Sequence, residues 1–137
     1  MGDAMKRKCH ILVVDDEPNV LVTYRLILQQ QGYEVSAALS SEEARKTLAE
    51  REIDLLLCDL SLEKQENGFD VIDFARQRNG DMPAVLLTGY ATQEANERAE
   101  QQAIPMLFKP IDIKQLLQTI SEMLRNDNDY EQHEAAG

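Results

Sequence analysis

The chain has 137 residues, 43% of them hydrophobic and 28% charged, and a formal net charge of −11. That length suits one domain with one core, the composition is that of an ordinary globular protein and excludes disorder of the whole chain, and the negative charge argues against direct nucleic-acid binding, which needs a basic surface. No apolar stretch approaches the roughly 20 residues that span a bilayer, and the basic Met1–Lys8 has no long apolar region behind it, so it does not read as a signal peptide; a cytoplasmic address without membrane contact is expected.

Residues 1–8 read as an N-terminal extension. Cys9–Val14 is an apolar run that predicts a strand and ends at the acid pair Asp15-Asp16. Pro18 suits the first turn of a helix, and Gly32 suits its stop after Gln29-Gln30-Gln31. Tyr33–Leu39 alternates apolar residues with Glu34 and Ser36, the pattern of an edge strand with one face partly wet. Ser40 with Glu43 three residues later is a capping box opening the second helix. Ile53–Cys58 predicts a third strand that ends at Asp59. A third helix is expected from about Phe69 to Asn79, with Gly80 as its C′ residue. Ala84–Leu87 predicts a fourth strand ending at Thr88. The fourth helix, Thr92 to about Gln102, offers only Ala95 and Ala99 as its main inward residues, so it is expected to be the most loosely held. Ile104–Phe108 predicts a fifth strand ending at Lys109. Asp112 is the expected N-cap of a fifth helix, whose apolar stripe is Ile113, Leu116, Leu117, Ile120 and Leu124. Residues 126–137 carry four acids and no Lys or Arg and are expected to form an acidic, mobile tail or linker. Cys9 and Cys58 read as small buried hydrophobes in a reducing compartment.

All strands but the second are near-continuous in apolar residues, as parallel strands covered on both faces are. Strand and helix alternate five times with short connections, which predicts one α/β domain over residues 9–125. It would be doubly wound, a five-stranded parallel sheet with helices on both faces. Ligands of such sheets bind at the carboxyl ends of the strands, where Asp15, Asp16, Asp59, Thr88 and Lys109 all fall. In a 2-1-3-4-5 sheet the first and third strands are neighbours, so Asp16 and Asp59 can share a Mg²⁺, which takes about six oxygens and keeps several waters. Asp59 at mid-sheet is placed to attack a phosphoryl group and become an aspartyl phosphate. Mg²⁺, Lys109 and the Thr88 hydroxyl would meet the charge that develops on the phosphoryl oxygens. Pro110 restricts the backbone of Lys109, and a cis bond there would aim the lysine into the site.

These motifs resemble the response regulator receiver domain, the phosphoacceptor module of two-component signalling, a flavodoxin-like fold. The matching segments are Ile11-Leu12-Val13-Val14-Asp15-Asp16-Glu17-Pro18, Leu56-Leu57-Cys58-Asp59-Leu60, Gly68-Phe69-Asp70, Leu86-Leu87-Thr88-Gly89 and Phe108-Lys109-Pro110, within Lys8 to Arg125. The resemblance implies that Asp59 takes phosphate from a phosphohistidine on a sensor histidine kinase or a histidine phosphotransfer protein. It implies a Mg²⁺ (or Mn²⁺) held by Asp15, Asp16, Asp59 and the backbone carbonyl of Ser61, with Thr88 and Lys109 on the phosphoryl group. It implies chemistry confined to the protein's own phosphorylation and dephosphorylation, without turnover of a separate substrate. It also implies a readout and homodimer surface on the fourth helix, fifth strand and fifth helix, including Glu94, Arg98, Lys114 and Gln118.

The sequence departs from the family pattern at several positions. Met106 stands where the family places an aromatic switch residue, so a weaker or differently wired switch is expected. The alternative reading is a receiver-like interaction module that phosphorylation does not regulate. Glu63 stands where proline is common, in a loop that looks one residue long, so Glu63-Lys64-Gln65-Glu66-Asn67 is expected to be floppier. Gln102 replaces a glycine, so the fourth helix is expected to end differently, and Pro105 fits an edge strand. Ser61 and Tyr90 should flank the path of an attacking water, with Tyr90 slowing hydrolysis of the acyl phosphate. A phosphatase of the haloacid dehalogenase type uses similar chemistry, but there the nucleophile belongs to the first strand and has a second Asp two positions on. Here the first strand gives Asp15-Asp16-Glu17-Pro18, and Asp59 is followed by Leu60-Ser61.

Overall fold

The computed structural model describes residues 8–62 and 66–136, with only the helical backbone given for 126–136. The expectations for the N-terminal extension before Lys8 and for Glu63–Gln65 lie outside the described residues. The strands are β1 (His10–Val14), β2 (Glu34–Ala38), β3 (Leu55–Asp59), β4 (Ala84–Thr88) and β5 (Met106–Phe108), and the helices are α1 (Pro18–Gln30), α2 (Ser41–Glu50), α3 (Gly68–Arg78), α4 (Gln93–Gln101) and α5 (Ile113–Ala136). They form one sheet in the order β2-β1-β3-β4-β5, with every pairing parallel.

Two apolar layers flank the sheet because successive strand side chains point to opposite faces. Ile11, Val13, Leu55, Leu57, Val85, Leu87 and Leu107 pack against Leu21, Tyr24 and Leu28 of α1 and Leu116, Ile120 and Leu124 of α5. Leu12, Val14, Leu56, Cys58, Ala84 and Leu86 pack against Ala44 and Leu48 of α2, Phe69, Val71, Ile72 and Ala75 of α3, and Ala99 of α4. β1, β3 and β4 are buried along their whole length. β5 departs from the expected fully covered strand. As the outer strand it buries only Leu107, while Phe108 is 52% exposed.

The helix ends show where local chemistry agrees with the expected elements and where it differs. Ser40 caps α2 by accepting from the Glu43 N–H at 3.1 Å, but Glu43 returns its carboxylate to the Leu39 N–H at 2.7 Å rather than to Ser40. The reciprocal box belongs to α3, where the Asn67 side chain accepts from the Asp70 N–H and Asp70 accepts from the Asn67 N–H. Asp112 caps α5 through the Gln115 N–H at 3.2 Å. Ile113 does not join the buried stripe. It sits in the first turn and is 37% exposed. The helical backbone continues past Arg125 to Ala136, through the residues expected to be a tail.

Two helices finish in the same six-residue motif. At the end of α1, Tyr33 N–H donates to Leu28 O and Gly32 N–H to Gln29 O, with Gly32 at φ 93°. At the end of α4, Ile104 N–H donates to Ala99 O at 2.8 Å and Ala103 N–H to Glu100 O at 3.2 Å, with Ala103 at φ 57°. The different ending expected from Gln102 is therefore this: the family's glycine is missing and an alanine takes the left-handed position, one residue on from Gln102.

Candidate functional site

Register brings the site together. Val14 lies opposite Cys58 across β1 and β3, so the next residues, Asp15 and Asp59, leave the sheet side by side. Asp59 lies opposite Leu87 in β4, which places Thr88 next in line. Thr88 in turn lies opposite Phe108 in β5, and Lys109 follows it. β1 and β3 are also where the order of the sheet reverses, the crevice in which open α/β sheets hold ligands.

Asp15 is 2% exposed. Its Oδ1 accepts the Glu17 N–H at 2.9 Å, a bond that turns the chain into α1. Its Oδ2 is buried and, among the described residues, has no donor. Burial pushes its carboxyl pKa up to about 6; the Glu17 amide pulls it down, the Asp59 charge raises it and Lys109 lowers it. Asp16 follows, half-buried.

Asp59 is buried, with Oδ1 accepting the Ser61 N–H at 3.0 Å and Oδ2 taking Lys109 Nζ at 2.7 Å. Burial alone would lower the Lys109 pKa, but the bond to Asp59 and the charges of Asp59 and Asp15 outweigh it and raise the net value. The Lys109-Pro110 peptide is cis.

Thr88 is buried, and its hydroxyl is turned to the next loop. It donates to Tyr90 O at 2.6 Å and accepts the Tyr90 N–H at 3.1 Å. The Tyr90 side chain, expected to shield the site, is 78% exposed. It shares with Ser61, Phe69 and Arg98 the lining of a groove of about 450 Å³. Met106 is half-buried against the α2–α3–α4 layer, opposite Leu86.

The donor set fits a hard divalent cation. The orphaned Oδ2 of Asp15 is a buried carboxylate oxygen without a hydrogen-bond donor among the described residues, beside a second carboxylate on Asp59. Among the described residues, no three His, Cys, Asp or Glu side chains are grouped so as to hold a metal. The carboxylates brought together are those of Asp15 and Asp59; a Mg²⁺ held there would complete its shell with waters and substrate oxygens.

Gly68 shows why α3 starts where it does. A Cβ there would meet Leu86 Cδ2 at 2.5 Å and the carbonyl oxygen of Asp59 at 2.8 Å. Glycine therefore lets the start of α3 close against the backbone of Asp59. In the sequence Gly68 stood out only as part of the matching segment Gly68-Phe69-Asp70.

Sequence reasoning missed three other features. Tyr24 of α1 is buried near the charged group; burial raises its phenol pKa and Lys109 lowers it. Arg98 of α4 stacks on Phe69, its guanidinium carbon 4.3 Å from the ring centroid, and pairs with Asp73 at 2.7 Å. Glu66 binds Ser41 and Arg45 of α2, so at Glu66 and Asn67 the loop expected to be floppy is tied down. None of the three has a local sequence signal; the loop's end does, in the N-x-x-D spacing of the Asn67–Asp70 box.

The family model of the response regulator receiver domain matches residues 11–121. Among curated proteins, the response regulator protein PilR of Pseudomonas aeruginosa is 30% identical over 118 residues, 85% of this chain and 26% of that protein. The alginate biosynthesis transcriptional regulatory protein AlgB of the same organism is 33% identical over 117 residues, 85% of this chain and 26% of that protein. The chain thus spans about a quarter of the length of these relatives. Among solved structures, a CheY-like receiver domain from Methanospirillum hungatei superposes with a TM-score of 0.84 at 26% identity, covering 90% of this chain and 99% of that one. A receiver domain from Clostridium thermocellum gives 0.81 at 26% identity, covering 88% and 97%. On its fold, its aligned strand-end residues and these matches, the chain belongs to the response regulator receiver domain family of two-component signalling.

Proposed function

We propose that Asp59 accepts a phosphoryl group from a phosphohistidine of a sensor histidine kinase or histidine phosphotransfer protein, and that the change is read out by protein contacts. The observation that carries this reading is the Asp59 carboxylate, buried at mid-sheet with Lys109 Nζ at 2.7 Å and beside the orphaned Oδ2 of Asp15. A carboxylate oxygen of Asp59 attacks phosphorus, the P–N bond to the donor imidazole breaks, and the imidazole nitrogen leaves with the bonding pair and takes a proton. Lys109 and Thr88 each take a phosphoryl oxygen. Asp15, Asp16, Asp59 and the Ser61 carbonyl would hold Mg²⁺ or Mn²⁺, which supplies positive charge to the phosphoryl oxygens. The same residues act in dephosphorylation, so the protein transforms only itself. Phe108 and Ile113, apolar and exposed on the face of β5 and α5, support pairing of two copies there with α4. Among the described residues no helix is long and apolar enough to cross a membrane; a cytoplasmic address is part of the proposal.

Incubation with acetyl phosphate and Mg²⁺ should add the mass of one phosphoryl group, and Asp59→Asn should abolish the gain. No gain in the wild-type protein, or a gain that survives Asp59→Asn, would overturn the reading and favour an interaction module that phosphorylation does not regulate.

A further inference from the structure

Between β3 and α3 the chain makes a pinched loop. Ser61 bridges Asn67 in antiparallel fashion. Leu62 N–H donates to Glu66 O at 3.1 Å, and Gly68 N–H donates to Leu60 O at 2.9 Å. Leu62 roots one arm of the loop in the core. The other arm is held sideways: Oε2 of Glu66 accepts from the Ser41 hydroxyl and from Nη1 of Arg45, the latter at 3.1 Å. Ser41 is buried in the first turn of α2, and Ala44 and Leu48 fix that helix to the core. The donor therefore sits on a rigid element.

This strut bears on Ser61. Its N–H is already on Asp59 Oδ1, and its carbonyl belongs to the proposed cation ligands. Ser61 is paired to Asn67, the residue after Glu66. A ligand carried on a loop loses affinity if the loop must be ordered on binding, and Mg²⁺ demands near-ideal octahedral geometry. We infer that Glu66, clamped by Ser41 and Arg45 of α2, is a positioning residue that presets the Ser61 carbonyl for the divalent cation. The inference rests on the reading that Asp15, Asp16, Asp59 and Ser61 take that cation.

The test is Mn²⁺ titration of the unphosphorylated full chain, following free Mn²⁺ by electron paramagnetic resonance. Ser41→Ala and Glu66→Ala should each weaken binding by about tenfold, the low end for residues that support metal ligands. The double variant should be no weaker than either single one, because both cut the same strut. Glu66→Gln, whose amide oxygen still accepts from Ser41, should restore most of the affinity. Thermal midpoints measured in chelator should stay close to wild type, since alanine is well tolerated at Ser41 in its helix and Glu66 is a partly exposed loop residue. Ser41→Ala leaves the net charge unchanged. If it binds Mn²⁺ as wild type does, or if Glu66→Gln is as weak as Glu66→Ala, Glu66 acts through its charge alone or not at all, and the strut is overturned. If the wild type binds no Mn²⁺, or Asp15→Asn binds it equally well, the cation reading itself fails and takes the inference with it.

Discussion

At Asp15, burial and a neighbouring carboxylate both favour the protonated form, and only the Glu17 amide and Lys109 oppose them. A folded-state pKa of about 6 against an ordinary 3.8 means that the folded protein holds this proton more tightly than the unfolded chain does. The contribution of Asp15 to stability is therefore most favourable at low pH. It falls as pH rises from about 4 to about 6 and is flat above that, a total change of about 3 kcal/mol. In chelator, Asp15→Asn should match wild type near pH 4 and exceed its stability by about 2–3 kcal/mol at pH 7.5. Urea unfolding at the two pH values checks this, and a pH-independent difference would refute it. Ala103 carries a different cost. It is exposed, yet holds the left-handed position that Gly32 fills at the end of α1. A Cβ in that conformation costs about 1–2 kcal/mol, and no packing is lost with it. Ala103→Gly should therefore stabilise the protein by about 1 kcal/mol, read as a higher urea midpoint.

At the scale of elements, α4 and α5 are held by different means. α5 buries Leu116, Ile120 and Leu124, each worth about 1.5–3 kcal/mol. α4 fully buries only Ala99; Ala95 packs partly against the core, and two arginines add anchors: Arg98 on Phe69 and Asp73, and Arg76 of α3 donating to the Gln102 carbonyl at 2.8 Å. Cutting Arg98→Ala removes an exposed ion pair and a stacked cation, together about 1 kcal/mol. The expected result is hydrogen exchange about fivefold faster in the amides of α4, with the core of β1 and β3 unchanged. Equal acceleration throughout would mean that α4 does not open on its own. The sparse burial of α4 was legible in its sequence, because Ala95 and Ala99 are its main inward residues. Its cross-links to α3 were not, since Arg98 and Asp73 lie 25 positions apart and no local pattern pairs them. The same limit applies to Ile113. Helical spacing placed it in the apolar stripe, but spacing does not say whether the fold brings a partner to the first turn of the helix.

Across the whole molecule, the most legible information was the grammar of strand ends. An apolar run followed by an abrupt polar residue marked Asp15, Asp59, Thr88 and Lys109, and a parallel sheet sets such ends on one edge whatever the loops do. The state of each side chain was less legible, because it depends on partners brought in by the fold: the missing donor of Asp15, the lysine on Asp59, the clamp on Glu66. Thr88 illustrates what that state implies. Its hydroxyl has one proton to give, and Tyr90 O holds it at 2.6 Å. If Asp59 is phosphorylated as proposed, a phosphoryl oxygen there claims that proton only when Tyr90 surrenders it. Phosphate and the loop after β4 would then be rival acceptors for a single donor, their satisfaction mutually exclusive. On that proposal the chain would report phosphorylation by a bond given up as well as by one gained, whatever residue stands at position 106.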